Sequence, residues 1–211
     1  MHPDKFLALL EKTRASAILR TPHGEAAEPA MEAAVRGGFR VIEFTMSVPG
    51  VLDLVRKFSK KQGLVVGVGT VLTIDEAREA VKAGAGYLVS PVVDEAVIQE
   101  ALSLGVTAMP GSCTPTEMMR AHRAGAQLQK LFPEVGTGPA WVKQTLGPLP
   151  FLRIVPTSGV TLENAADYFK AGAFAVGFVN SLFEPADVGQ GRFDLIEARA
   201  RKMIEAVSNV R

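Results

Sequence analysis

The sequence predicts an α/β fold, a (β/α)8 barrel of the TIM type with an extra helix at its N-terminus. The chain has 211 residues, 47% of them hydrophobic and 21% charged, which is an ordinary globular composition. One junction recurs along it: a helical pattern, a glycine suited to a left-handed C-cap, and a short apolar strand. The strand segments are almost continuously apolar, which is typical of parallel strands covered by helices.

Six such junctions, together with two further apolar segments at residues 15–20 and 151–159, place eight strands in regular order along the chain. Examples are "ASAILR" at residues 15–20, "VIEF" at 41–44 and "YLVS" at 87–90. The predicted strands begin near residues 15, 41, 64, 87, 107, 126, 151 and 174.

Helical patterns with clear start signals lie between the strands. Thr73 with Glu76 three residues later forms a capping box, and Asp94, Thr114 and Thr161 are expected to be N-caps. An amphipathic pattern also precedes the first strand. The predicted helices after the strands cover about 25–37, 50–62, 75–84, 94–104, 115–124, 139–146, 162–171 and 192–207.

Eight regular βα units favour a closed barrel, near the lower end of the usual range of ~200 to >400 residues. The alternative is an open, doubly wound sheet. Because no linker or low-complexity stretch divides the chain, we expect residues 1–211 to form one domain. The segment 133–141 is a loop long enough to move over a site.

The composition of the chain excludes several classes of function. The net charge is +1 and the charges are scattered, so we expect no nucleic-acid partner. No apolar run is long enough to span a membrane, and the N-terminal segment lacks a signal-peptide pattern. A single cysteine, Cys113, fits a cytoplasmic setting. The three histidines have no metal-ligand spacing, so we expect no metal site.

In a barrel of this type the active site lies at the carboxyl ends of the strands. Arg20 ends the first strand, Glu43 lies in the second, and Lys130 lies in the sixth, on one face with Leu128 and Phe132. We therefore expect the guanidinium of Arg20, the carboxylate of Glu43 and the amine of Lys130 to lie close together at one end of the predicted barrel.

These three residue types suit carbon–carbon bond chemistry on a 2-keto acid. Desolvation lowers the pKa of a lysine inside an apolar barrel, and a neutral amine attacks a ketone to form a Schiff base. A half-buried glutamate such as Glu43 moves protons to and from the substrate. Arg20 grips the substrate carboxylate.

Structural interpretations of the same residues stay open at this point. Lys130 is, from the pattern alone, as readily a lysine that extends to the barrel rim as a reactive one. Glu43 fits a structural ion pair with Lys130 or Arg20, and Arg20 fits a surface position. The stretch "GVGTV" at residues 67–71 lacks the GxGxxG spacing and indicates close packing at a barrel corner instead of a dinucleotide site.

At these residues the chain resembles the bacterial class I aldolases for 2-keto-3-deoxy-6-phosphogluconate (KDPG) and 4-hydroxy-2-oxoglutarate (KHG). The similarity covers nearly the whole chain in order. Its motifs are "VIEFTMSVP", "VGVGTVLT", "YLVSPVVDEAVI", "MPGSCTPTEMMRAHRAGAQLQKLFP" and "VPTSGVTLENAADYFKAGAFAVG". Each motif is moderately specific alone, and together with their spacing they are strongly so.

The resemblance implies a role for each candidate residue. Lys130 in "KLFP" would be the Schiff-base lysine, and Glu43 in "IEFT" the general acid and base. Arg20 would help to hold the substrate carboxylate. The pyruvyl pocket would be lined by Thr70, Pro91, Phe132 and Thr157. The resemblance also implies a homotrimer, a small-molecule 2-keto acid as partner, and neither metal nor cofactor beyond the covalent Schiff base.

Two departures from the family pattern affect substrate binding. Ser47 stands where many members carry a second arginine, so carboxylate binding would depend more on Arg20. The glycine-rich segments expected at a phosphate site are altered. After strand seven the chain has Ser158-Gly159, and after strand eight it has Asn180-Ser181, preceded by the bulky pair Phe178 and Val179.

The resulting expectation is an aldolase that cleaves a 4-hydroxy-2-keto acid to pyruvate and an aldehyde. With a phosphorylated sugar acid the aldehyde is glyceraldehyde 3-phosphate, and with 4-hydroxy-2-oxoglutarate it is glyoxylate. Three alternatives stay open: a related aldolase for an unphosphorylated sugar acid, another phosphate-binding barrel in which Lys130 acts only through its charge, and a non-catalytic keto-acid-binding protein.

Overall fold

Eight parallel strands form the inner wall of the molecule, and helices pack around them. The computed structural model describes residues 2–210. The strands are β1 Ala15–Leu19, β2 Val41–Thr45, β3 Val65–Gly69, β4 Tyr87–Ser90, β5 Thr107–Ser112, β6 Gln129–Leu131, β7 Ile154–Pro156 and β8 Val176–Phe178.

Helices alternate with these strands, and one helix precedes them. They are α1 Pro3–Thr13, α2 Gly24–Arg36, α3 Val51–Phe58, α4 Ile74–Ala83, α5 Glu95–Ser103, α6 Pro115–Arg123, α7 Pro139–Leu146, α8 Ala165–Lys170, α9 Pro185–Gly189 and α10 Phe193–Ser208. Between residues 2 and 210 no helix is long and apolar enough to cross a membrane.

The strands close into a barrel. β1 pairs in parallel with both β2 and β8, so the first and last strands are neighbours. The hydrogen-bonded order runs from β7 through β1 to β8. Phe174, just before β8, donates its N–H to the carbonyl of Ile154 in β7 at 2.9 Å and links the two remaining edges. The predicted (β/α)8 barrel with an extra N-terminal helix is therefore confirmed, and the open sheet is excluded.

The predicted starts of the strands agree well with the observed starts in the first half of the chain and less well in the second half. β6, β7 and β8 begin two or three residues later than the predicted starts. The apolar residues Ala126 and Leu152, which lie in the predicted segments before β6 and β7, are buried but belong to the core between strands and helices. Apolar character alone did not separate a buried approach segment from a strand.

The predicted N-caps were right for three of the four helices. Thr73, Asp94 and Thr114 each accept a backbone N–H in the first turn of their helices. Thr161 is not a cap, because α8 begins only at Ala165, with Asn164 at its N-cap position. The short helix α9 was not predicted at all.

Glycines in the strands make room for large side chains inside the barrel. The Tyr87 ring lies across Gly67, where an added Cβ would be 2.2 Å from Tyr87 Cζ. The Tyr87 hydroxyl donates to the Ile42 carbonyl at 3.0 Å, and Phe6 of α1 stacks on the same ring at a centroid distance of 4.5 Å. Helix α1 thus closes one end of the barrel with apolar packing, and the opposite end is left for chemistry.

Gly67→Ala is expected to destabilise the fold. The added methyl group would overlap the Tyr87 ring, and relieving such overpacking typically costs about 1–3 kcal/mol. Urea unfolding measures this as a lower midpoint with an unchanged slope. Gly136→Ala is the matched control, since an added Cβ at Gly136 meets no atom within 4 Å. Equal midpoints for the two variants would contradict the packing account.

Candidate active site

Lys130 extends from the short strand β6 into the barrel. It pairs in register with Gly111 of β5 and Val155 of β7, and its side chain is only 7% exposed. Leu128, two residues earlier, belongs to the apolar interior packed on α1. The ammonium nitrogen lies 5.1 Å from the centre of the Phe132 ring. The alternation predicted for Leu128, Lys130 and Phe132 therefore places all three side chains on the inside.

Glu43 extends inward from β2 and is fully buried. Its carboxylate lies over Gly69, where an added Cβ would be 2.0 Å from Oε1, so the glycine leaves the space that the carboxylate fills. Neither carboxylate oxygen has a hydrogen-bond partner within the described chain. A buried, unpartnered carboxyl is costly to a fold, and such groups concentrate at functional sites.

Burial shifts the pKa values of these two groups in opposite directions. Desolvation lowers the pKa of Lys130, the Glu43 charge opposes that shift, and the Arg20 charge adds to it. Desolvation raises the pKa of Glu43, while the charges of Lys130 and Arg20 partly offset the rise. Both shifts favour the uncharged forms, a neutral amine and a protonated acid. This is the state in which an amine is nucleophilic.

Arg20 lies at the mouth of the barrel, just after β1, with its side chain exposed. Its Nη2 donates to the hydroxyl oxygen of Thr70 at 3.1 Å. Thr70 has a φ of 61°, in the left-handed region, which is unfavourable for a β-branched residue. Backbone strain of this kind is concentrated at functional sites. Here the strained Thr70 holds the Arg20 guanidinium in position through its hydroxyl.

A cavity of about 560 Å³ opens at the carboxyl ends of the strands. Four predicted residues line its inner part: Arg20, Lys130, Phe132 and Thr157. Four more line its outer part: Ser158, Gly159, Asn180 and Ser181. The structure therefore brings eight of the eleven predicted site residues onto one continuous wall.

The other three predicted residues are not on that wall. Glu43 lies inside the barrel over Gly69, and Thr70 touches the site through Arg20. Pro91 follows β4, and its carbonyl oxygen lies where a Cβ on Gly111 would come within 2.3 Å. Pro91 is thus packed against β5, away from the cavity surface.

Two loops are tied together at the outer part of the cavity. The Asn164 side chain accepts the Thr161 N–H at 2.8 Å and donates to the Gly159 carbonyl at 2.8 Å. The Ser181 hydroxyl donates to the Val160 carbonyl at 2.7 Å and joins the segment after β8 to the segment after β7. These bonds hold the outer wall in a defined shape.

Several wall residues were missed by sequence reasoning: Ile18, Val160, Thr161, Val179, Glu184 and Pro185. Glu184 and Pro185 begin the unpredicted helix α9. A proline at the first helical position followed by Asp187 is a start signal that could have revealed this helix. Within residues 2–210 no group of three or more histidine, cysteine or acidic side chains could hold a metal ion.

Comparison with known proteins identifies the family to which the chain belongs. The family model for KDPG and KHG aldolase matches residues 7–198. The chain belongs to this aldolase family. The 2-dehydro-3-deoxy-phosphogluconate aldolase of Pseudomonas aeruginosa is 34% identical, over 84% of this chain and 81% of its own. The KHG/KDPG aldolase of Escherichia coli K12 is 32% identical, over 86% of both chains.

Other relatives carry different substrate names. A probable 2-dehydro-3-deoxy-6-phosphogalactonate aldolase of Rhizobium meliloti is 36% identical, over 80% of this chain and 81% of its own. The crystal structure of the Zymomonas mobilis KDPG aldolase with 3-phosphoglycerate has a TM-score of 0.80 and 26% identity, covering 97% of this chain and 95% of that one. The family resemblance predicted from the motifs is confirmed, but its members differ in substrate.

Proposed function

We propose that this protein is a class I aldolase that cleaves a 4-hydroxy-2-keto acid into pyruvate and an aldehyde. The observation that carries the proposal is the buried amine of Lys130 on the cavity wall, within electrostatic range of the buried, unpartnered carboxyl of Glu43. The named activities of the relatives support it.

The first half of the proposed reaction forms the Schiff base. Neutral Lys130 Nζ adds to the C2 carbonyl of the substrate, and loss of water gives an iminium ion. Arg20, oriented by Thr70, holds the C1 carboxylate at the mouth of the barrel through charge-assisted hydrogen bonds. Phe132 and Thr157 flank the bound keto acid on the cavity wall.

The second half breaks the carbon–carbon bond. Glu43, in its ionised form, takes the C4 hydroxyl proton directly or through a water molecule. The C3–C4 bond breaks, its electron pair moves into the iminium, and the aldehyde leaves. The resulting enamine is protonated at C3, and water hydrolyses the iminium to release pyruvate and regenerate Lys130. The raised pKa of Glu43 suits it to return the proton.

The proposal extends to the cofactor requirement, the cellular location, the oligomeric state and the substrate range. The chemistry uses only the covalent bond to Lys130, with neither cofactor nor metal. We place the enzyme in the cytoplasm as a homotrimer, on the strength of the family resemblance. The exposed apolar side chains of Leu72 after β3, Ile74 at the start of α4 and Val92 after β4 support a subunit contact on that side. Both phosphorylated sugar acids and 4-hydroxy-2-oxoglutarate fit this mechanism.

Borohydride reduction in the presence of pyruvate tests the Schiff base. We expect one reduced pyruvate per chain, found by mass spectrometry on Lys130. Lys130→Ala should abolish the adduct, whereas Lys143→Ala, at an exposed position on α7, should keep it. Wild-type protein that gives no adduct under saturating pyruvate would refute the aldolase and favour a barrel in which Lys130 acts only by charge. An adduct without measurable aldol cleavage would favour a binding protein.

Glu43→Gln tests the proton-transfer role. General acid–base catalysis contributes roughly 10²–10⁴-fold, so we expect kcat for aldol cleavage to fall by that factor. Thermal unfolding should change little, because glutamine matches the size of the buried side chain and removes no hydrogen bond within the described chain. Coupled detection of released pyruvate measures kcat, with Glu11→Gln on α1 as the control. A kcat close to that of wild type would remove Glu43 from the mechanism.

A further inference from the structure

Three residues that face the barrel interior lie side by side at the level of Glu43. Glu43 of β2 pairs in register with Gly67 of β3, and Gly67 pairs in register with Tyr87 of β4. Because inward positions recur at every second residue of a strand, Gly69 is the next inward position of β3 toward its carboxyl end. Since neither glycine has a side chain, β3 leaves two adjoining spaces beside Glu43, a lower space on Gly67 and an upper space on Gly69.

The Tyr87 ring fills the lower space. An added Cβ on Gly67 would be 2.2 Å from Cζ of the ring and 2.4 Å from both Cε1 and Cε2, so the hydroxyl end of the ring lies on this glycine. The hydroxyl reaches β2, where it donates to the Ile42 carbonyl at 3.0 Å. That carbonyl belongs to the peptide group that joins Ile42 to Glu43. The Tyr87 side chain therefore spans β3 and ends against the backbone at Glu43.

The Glu43 carboxylate occupies the upper space. An added Cβ on Gly69 would be 2.0 Å from Oε1, 2.8 Å from Cδ and 3.3 Å from Cγ of Glu43. The Glu43 backbone is level with Gly67, so the side chain leans toward the carboxyl end of β3. The catalytic cavity opens at the carboxyl ends of the strands. In the lower space the carboxyl would point away from that cavity, and the Tyr87 ring already fills this space.

The Tyr87 ring is itself held firmly in place. It is fully buried, and the Phe6 ring stacks on it at a centroid distance of 4.5 Å and an interplanar angle of 13°. Val41, Val65 and other apolar side chains belong to the same interior cluster. Burial raises the pKa of Tyr87, and the nearby Glu43 charge raises it further. The ring thus forms a rigid floor near the carboxyl, whose oxygens have no hydrogen-bond partner in the described chain.

We propose that Tyr87 is the positioning residue of Glu43, because its ring fills the lower space and so directs the carboxyl toward the catalytic cavity. This rests on the proposed aldolase function, in which Glu43 moves protons to and from the substrate. Tyr87 is not among the residues that line the cavity, so it acts through Glu43 and not on the substrate. Displacing a catalytic group by about 1 Å can lower a rate by about 10²-fold.

The test uses pyruvate as the probe, since the proposed cleavage releases pyruvate from each candidate substrate. Exchange of the C3 protons of pyruvate in D2O is followed by ¹H NMR. Lys130 forms the iminium ion, Glu43 removes a C3 proton directly or through a water molecule to give the enamine, and a deuteron returns to C3. In Tyr87→Leu the lower space is open to the carboxyl, and we expect the exchange rate to fall by about 10–100-fold.

Two further variants separate positioning from packing. Tyr87→Phe keeps a ring on Gly67 and should retain most of the exchange rate. Tyr168→Leu is the matched control: it makes the same substitution at the second of the two tyrosines, which is also fully buried but lies in the core between strands and helices. It should also retain the exchange rate. The proposal is overturned if Tyr87→Leu exchanges at the wild-type rate, or if Tyr87→Phe or Tyr168→Leu loses as much as Tyr87→Leu.

Trapping of pyruvate by borohydride is measured in the same preparations, and each variant should still trap one pyruvate per chain on Lys130. Wild-type protein that traps no pyruvate, or traps it without exchange, contradicts the aldolase itself. Wild-type protein that does both, with an equally active Tyr87→Leu, contradicts only the role of Tyr87. If Tyr87→Leu does not trap pyruvate, Tyr87→Met replaces it, because a flexible methionine fills irregular core gaps without a ring. Failure of both to trap pyruvate would show that Tyr87 serves the fold and would overturn its assignment to Glu43.

Discussion

The burial of an amine and a carboxyl in the same barrel, without a direct ion pair, is the constraint on which the site depends. Charged groups lose hydration when they are buried, so both Lys130 and Glu43 are driven toward their neutral forms. An ion pair in contact would instead have held both groups charged. A keto acid can react in the cavity that Lys130 lines, and the fold bears the cost of leaving both Glu43 carboxylate oxygens unpartnered.

The barrel meets this constraint through small residues at inward positions. Gly67 admits the Tyr87 ring, Gly69 admits the Glu43 carboxylate, and at Gly177 an added Cβ would press on the side chains of Ile18 and Thr157. Below them, Tyr87 and Phe6 seal the barrel with apolar surface. Lys130 lies between this apolar packing and the cavity, in an environment of low dielectric constant. The same apolar packing thus stabilises the fold and prepares the nucleophile.

Local patterns predicted much of this arrangement. Inward alternation placed Lys130 and Glu43, and the capping residues Thr73 and Thr114 marked their helices correctly. The outer wall was less predictable, because its character depends on residues far apart in sequence. Gly159 and Asn180 come from the segments after β7 and β8, and only the closed barrel joins these two segments in one wall. Thr161 failed as a predicted cap because α8 begins only at Ala165, with Asn164 at its N-cap position.

The proposed chemistry requires that burial keeps Lys130 neutral enough to act as a nucleophile. NMR titration of the lysine side chains in protein labelled with ¹³C at Cε measures this directly, with Lys130→Ala identifying the resonance. Burial in the barrel predicts that the pKa of Lys130 lies below the ordinary lysine value. A pKa of Lys130 at or above the ordinary lysine value would contradict this prediction.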